Sequence, residues 1–238
     1  MRSINPALKW LTACWITLGL LSPARAEESR ADAARPGYLL VMGTVTDREA
    51  LSRYAKTLPA IYAQYGGRPI ANGRVGIKVR VLEGSFAHES VILSKFASID
   101  GPNAMWWSPE YRRSVELRAG AGRFTVLKLR GLPGDAGLPE GKPAYLVSIG
   151  DIRDPNKLKP YGAAAMPLVT AAGGRFISTG NRSNIELLEG EFGNQSVNVF
   201  EFPSIDALRG FYFNPAYQKL IPIRQSAGDY VLLEVDSG

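Results

Sequence analysis

Cysteine and histidine are nearly absent: the 238 residues contain one of each, Cys14 and His88. A single histidine cannot build an HExxH zinc site or any multi-histidine metal centre. Cys14 lies in an N-terminal segment that the sequence marks for removal. The chain left behind would have no thiol, which excludes disulfides, thiolate metal sites and cysteine nucleophiles, and an oxidising compartment would pose it no redox liability. A Walker loop is also missing, since Ala119-Gly120-Ala121-Gly122 is too short and lacks the lysine. No G-x-S-x-G turn supports a serine nucleophile. Net charge is small as well. The formal +6 falls to +3 once Arg2, Lys9 and Arg25 are removed, too mild to argue for nucleic acid or an anionic membrane as partner. No metal or nucleotide cofactor is expected.

The N-terminus carries Arg2 and Lys9, then the uncharged apolar run Trp10 to Leu21, then Ser22-Pro23 and the small-x-small sequence Ala24-Arg25-Ala26. That order is a secretory signal peptide, with cleavage expected after Ala26. The run falls short of the roughly 20 residues a membrane-spanning helix needs. The chain is therefore expected in the periplasm or outside the cell, with no stable membrane anchor after processing. Residues 27–36 are polar and read as a loose tail.

The remainder is a tandem repeat. Tyr38 recurs as Tyr145, an offset of 107 residues. At that offset Asp47 meets Asp154, Tyr54 meets Tyr161, and Gly66-Gly67-Arg68 meets Gly173-Gly174-Arg175. One slip then makes the offset 106, where Leu82-Glu83-Gly84 meets Leu188-Glu189-Gly190, Phe96 meets Phe202, and Arg118 meets Arg224. Residues 37–130 form copy one and 144–238 copy two, joined by the Gly/Pro-rich linker 131–143.

Each copy reads β-α-β-β-α-β. The first strands, Tyr38–Val45 and Tyr145–Ile152, are apolar on both faces and call for cover on both sides. Asp47 and Asp154 are the N-caps of the first helices. Their stripes are Leu51, Tyr54, Leu58, Ile61, Tyr65 and Leu158, Tyr161, Ala165, Leu168, Ala172. Glycine pairs end them. Two strands follow in each copy, Val75–Leu82 with Ser90–Phe96 and Asn184–Leu188 with Ser196–Phe202, with Gly84 and Gly190 at the turns between them. Ser98 and Ser204 cap the second helices. Gly101-Pro102 should make the one in copy one start late or kink. The last strands are Phe124–Leu129 and Tyr230–Val235.

This order is the ferredoxin-like split βαβ unit. Copy two, with Tyr145, Tyr161, Gly173-Gly174-Arg175, Leu188-Glu189-Gly190, Glu201-Phe202-Pro203-Ser204, Phe211-Tyr212, Asn214-Pro215-Ala216-Tyr217 and Arg224, resembles the family called domain of unknown function 1330. Copy one matches less well, with Lys95-Phe96-Ala97-Ser98 in place of the Glu-Phe-Pro-Ser pattern. The family belongs to the dimeric α/β-barrel superfamily, in which two four-stranded sheets pack face to face. The resemblance implies that here one chain supplies both halves and completes its own barrel.

Three strand positions reverse charge between the copies: Arg80 against Glu186, Lys95 against Glu201, and Lys128 against Glu234. A fused pair is free to place opposite charges across its interface, so at least one of these cations is expected to meet a copy-two glutamate.

The candidate ligand-binding residues are the repeated polar ones: Tyr54, Arg68, Glu83 and Arg118 in copy one, Tyr161, Arg175, Glu189 and Arg224 in copy two. A cleft holding tyrosine, arginine and glutamate suits a small polar or anionic aromatic compound. The same residues also serve as core-margin tyrosines, helix-end arginines and a turn glutamate. Trp106-Trp107, matched by Tyr212-Phe213, reads as core plus a partly covered aromatic. His88 reads as a loop residue. The leading expectation is binding of a small organic molecule in a cleft between helices and sheet. A cofactor-independent enzyme of monooxygenase or isomerase type is the first alternative, and a non-catalytic structural module the second.

Overall fold

A computed structural model describes residues 35–133, 141–194 and 196–238. The expected signal segment, most of the expected tail and the centre of the linker lie outside the described residues.

Copy one runs β1 (Gly37–Val45), α1 (Arg48–Gln64), β2 (Gly67–Val75), β3 (Lys78–Glu83), β4 (Ser90–Phe96), α2 (Gly101–Trp106), α3 (Pro109–Val115), a 3-10 turn and β5 (Gly122–Arg130). Copy two repeats the order as β6 (Ala144–Ile152), α4 (Pro155–Ala171), β7 (Arg175–Asn181), β8 (Glu186–Glu189), β9 (Ser196–Phe202), α5 (Ile205–Tyr212), α6 (Pro215–Gln218), α7 (Ile221–Ala227) and β10 (Gly228–Asp236).

Local chemistry sets the helix starts. The Asp47 carboxylate accepts from the amides of Glu49 and Ala50, and Asp154 does the same for Asn156 and Lys157. These bonds satisfy amides that the first helical turn leaves without partners. Ser204 caps α5 through the Ala207 amide. In copy one α2 starts only at Gly101, with Pro102 in its first turn and no side-chain cap. The late start expected from Gly101-Pro102 is present.

One part of the strand reading is corrected. Each copy has five strands among the described residues, and the second is the one the sequence pattern does not show: β2 pairs antiparallel with β4, and β7 with β9. Copy one hides its strand in GRPIANGRV, where two glycines and a proline lower β-propensity. The segments read as second strands are instead arms that leave their own copy. β3 does not form a hairpin with β4 but pairs with β10, and β8 pairs with β5. Gly84 and Gly190 end these arms with positive φ, and a Cβ at either would collide with a backbone carbonyl, of Tyr230 or Phe124, in the other copy. Only glycine permits that approach.

The exchange of arms joins the two sheets in the order β7-β9-β6-β10-β3-β2-β4-β1-β5-β8. A bridge between Gly131 and Ser178, with Leu132 N–H donating to the Ile177 carbonyl at 3.0 Å, brings β5 against β7 and closes the barrel. The chain is thus an α+β pseudo-dimeric barrel of two ferredoxin-like repeats. Its interior is packed with side chains from both copies, among them Tyr38, Leu93, Leu127, Tyr145, Val197 and Leu233. Each outer face carries its own cluster beneath its own helices. Strands apolar on both faces are explained by this double cover.

Of the charge-reversed positions, Lys128 meets Glu186 across the copies at 3.1 Å. Arg80 stands opposite Glu234 in the β3–β10 register, but Glu234 bonds Arg209 at 2.7 Å. Glu201 bonds Arg175 within copy two.

Candidate functional site

The eight candidate residues sort into two clusters, and the exchange of arms decides the sorting. Glu83 belongs to copy one in sequence but joins Arg224 of copy two at 2.5 Å. Glu189 of copy two takes both terminal nitrogens of Arg118 of copy one, at 2.8 and 2.5 Å. Each helix tyrosine lies within 6 Å of its arginine: Arg118 is 5.1 Å from the Tyr54 ring centroid and Arg224 is 5.5 Å from that of Tyr161. Arg68 and Arg175 stand apart from both clusters. Arg175 is held by Glu201, while Arg68 is exposed and stands opposite Lys95 in the β2–β4 register.

Partners that the sequence reading did not single out complete each cluster. The Tyr54 and Tyr111 hydroxyls lie 2.9 Å apart, and those of Tyr161 and Tyr217 lie 3.0 Å apart. Tyr111 and Tyr217 occupy equivalent places in the repeated Pro-x-Tyr, which was the available signal. Burial pushes the Tyr111 and Tyr217 phenols well above the usual range. Both stay neutral hydroxyls at physiological pH. Burial of Arg118 works against its charge, but the bond to Glu189 and the nearby phenols outweigh it and raise its pKa. Arg118 and Glu189 therefore form a charged, mutually neutralised pair.

The copy-one cluster borders a cavity of about 600 Å³. The cavity lies between α1 and the outer face of the sheet. Its floor is Leu39, Val41, Ile92, Val126 and Phe124, its roof includes Leu51, Leu58 and Tyr62, and one end is closed by Tyr54, Tyr111, Trp106 and Arg118. Arg68, Arg74 and Glu89 stand at its exposed rim. Tyr62 is fixed by a 3.0 Å bond to Ser94, and burial pushes its phenol up to about 12.

The same space in copy two is built from different residues. Val41 and Ile92 become Ser148 and Asn198, and Asn198 is tied to Thr179 at 2.8 Å. Ser94 becomes Phe200, which packs against Phe176 with ring centroids 4.1 Å apart. Leu58 and Tyr62 become Ala165 and Val169, both buried against the sheet. The helix residues are smaller here, and Phe200 packs against the cluster beneath α4.

Trp106 is 2% exposed and its indole nitrogen has no hydrogen-bond partner, whereas Trp107 is 62% exposed. The His88 pKa is lowered by burial and by Arg123. Among the described residues no group of three or more His, Cys, Asp and Glu side chains could hold a metal ion, and no helix is long and apolar enough to cross a membrane.

The fold is shared with solved structures. A candidate monooxygenase from Lactobacillus acidophilus NCFM superposes with a TM-score of 0.50 at 15% identity, covering 86% of this chain and 95% of that one. A candidate chlorite dismutase superposes with a TM-score of 0.50 at 12% identity, covering 86% and 95%. At such identities the likeness concerns the fold alone. No curated protein matches the sequence. The sequence pattern of one family matches twice, over residues 36–132 and 143–237, so the chain belongs to the family described as domain of unknown function (DUF1330).

Proposed function

We propose that this is an exported protein that binds a small, largely apolar organic molecule in the cavity of copy one. The observation that carries the reading is the cavity itself. About 600 Å³ of space, walled by aliphatic and aromatic side chains with a few polar groups gathered at one end, is the ordinary form of a small-molecule site. A packed barrel interior supplies the rigid frame on which such a site is best built. Export rests on the charged, apolar and small-residue order of the first 26 residues. Because Glu189 already balances Arg118, the ligand need not be anionic, which narrows the polar or anionic class expected from the sequence.

The test is a titration of the mature chain with the uncharged dye N-phenyl-1-naphthylamine. One saturable site is expected. Leu58→Trp, which places an indole in the cavity, should weaken the dye at least about tenfold by removing its volume. Met166→Trp, on the exposed face of α4, should leave binding unchanged. Binding that Leu58→Trp does not disturb would place the dye elsewhere and overturn the reading.

A further inference from the structure

The two ends of the copy-one cavity differ in charge balance. The sheet order places β2 and β5 on opposite sides of β4 and β1. Strand register lines up Asn72, Ile92, Val41 and Val126 as one row across the cavity floor. That row spans three inter-strand steps, roughly 14 Å. At its β5 end lie Phe124 and Arg118, and Glu189 holds both terminal nitrogens of Arg118. Its β2 end is the mouth, where Arg68, Asn72, Arg74 and Glu89 line the cavity and are exposed. Arg74 stands opposite Ser90, two residues beyond Asn72 and so on the same face of the strand. Among the described residues neither Arg68 nor Arg74 forms an ion pair. Two arginines set against Glu89 leave these rim groups net positive.

Copy two spends the equivalent groups within the protein. Arg175, in the place of Arg68, bonds Glu201 at 2.7 Å. Thr179, in the place of Asn72, bonds Asn198 at 2.8 Å. Asn181 replaces Arg74 and accepts from the Ser183 amide at 2.9 Å. A free cation on this strand is thus a property of the copy-one mouth.

An anion gains at the mouth and loses at the closed end. At the mouth a carboxylate keeps part of its water while it meets a guanidinium. At the closed end it would give up that water and find Arg118 already neutralised. This difference fixes an orientation, with the charged head outward and the apolar body along the floor.

We propose that the copy-one site takes an amphiphile with a single carboxylate head, which Arg74 binds at the mouth while the apolar body lies over Ile92, Val41 and Val126. This rests on the cavity being the binding site, and it adds the chemical class of the ligand.

The experiment displaces N-phenyl-1-naphthylamine from the full mature chain with decanoate or with decanol. The two competitors share a chain length and differ in the head, which is ionised in decanoate at about pH 8. Arg74→Gln removes the charge at an exposed position, where substitutions rarely disturb folding. It should weaken decanoate roughly three- to fivefold, the effect of one exposed ion pair, and move decanol less than about twofold. Arg74→Glu should weaken decanoate at least as much and again spare decanol. Decanoate that does not displace the dye, or losses in these variants that are absent or equal for both competitors, overturn the carboxylate assignment while the cavity reading stands. A dye that fails to bind, or that Leu58→Trp leaves undisturbed, overturns the cavity reading and this inference with it.

Discussion

Beneath α1, copy one leaves a cavity roofed by half-buried Leu51, Tyr54 and Leu58. Beneath α4, copy two buries Ala165 and Val169 against the sheet and packs Phe200 beside them. The backbone order and the tyrosine pair are common to both, as is the arginine held by an exchanged glutamate. The difference lies in a few side-chain volumes. One copy can keep open space because its twin, well packed and sharing the barrel, stabilises the whole. Duplication separates the two demands on a small domain, a dense core and a hole for a ligand.

The comparison can be broken first at the arms. Glu83→Ala would leave Arg224, 2% exposed, as a buried charge without its carboxylate. It should cost about 3–5 kcal/mol, the usual penalty for breaking a buried pair, as read by urea denaturation. Glu189→Ala should cost less, because Glu189 is more exposed than Glu83. Equal losses would show that the copies are energetically equivalent at this point.

A second contrast concerns volume. Ala165→Trp overpacks a filled site and should destabilise by about 1–3 kcal/mol or more, while Leu58→Trp, with a cavity to occupy, should cost under about 1 kcal/mol. Thermal unfolding of the two variants side by side measures the asymmetry. Similar losses would mean that the cavity is closed in solution.

The smallest effect is expected at the cross-copy pair Lys128–Glu186. Each single charge reversal should cost about 0.2–1 kcal/mol, and the double reversal should recover most of it. Burial alone would raise the Glu186 pKa, but the bonds from Asn103 and Lys128 outweigh it and hold the carboxyl below its ordinary value. A depressed carboxylate contributes stability above its unfolded pKa, and that contribution is lost as pH falls through the folded value. The recovery in the double reversal should therefore shrink in acid, below about pH 4. A recovery that is flat with pH would mean the two groups do not interact.

Much of the fold was legible because it is written in local chemistry. The Asp47 and Asp154 caps, the paired glycines and the doubly apolar first strands each state their structure within a few residues. β2 was not legible, since Gly67, Pro69 and Gly73 weaken its strand signal and only its register with β4 makes it a strand. The Tyr54, Arg118 and Glu189 grouping was visible only as an inventory of repeated polar residues. Nothing local says that Glu189 serves the other copy, because that depends on where an arm lands. Trp106 reads as core from the sequence, and it is buried.

Residue identity and spacing are enough for the duplication, the capped helix starts, the doubly apolar first strands and the exclusion of multi-histidine chemistry. Tertiary structure alone decided the exchange of β3 and β8, the pairing of each arginine with the other copy's glutamate, and the open space in one copy. Those outcomes depend on contacts between residues far apart in the chain, and on volumes that balance only when the two sheets close on each other.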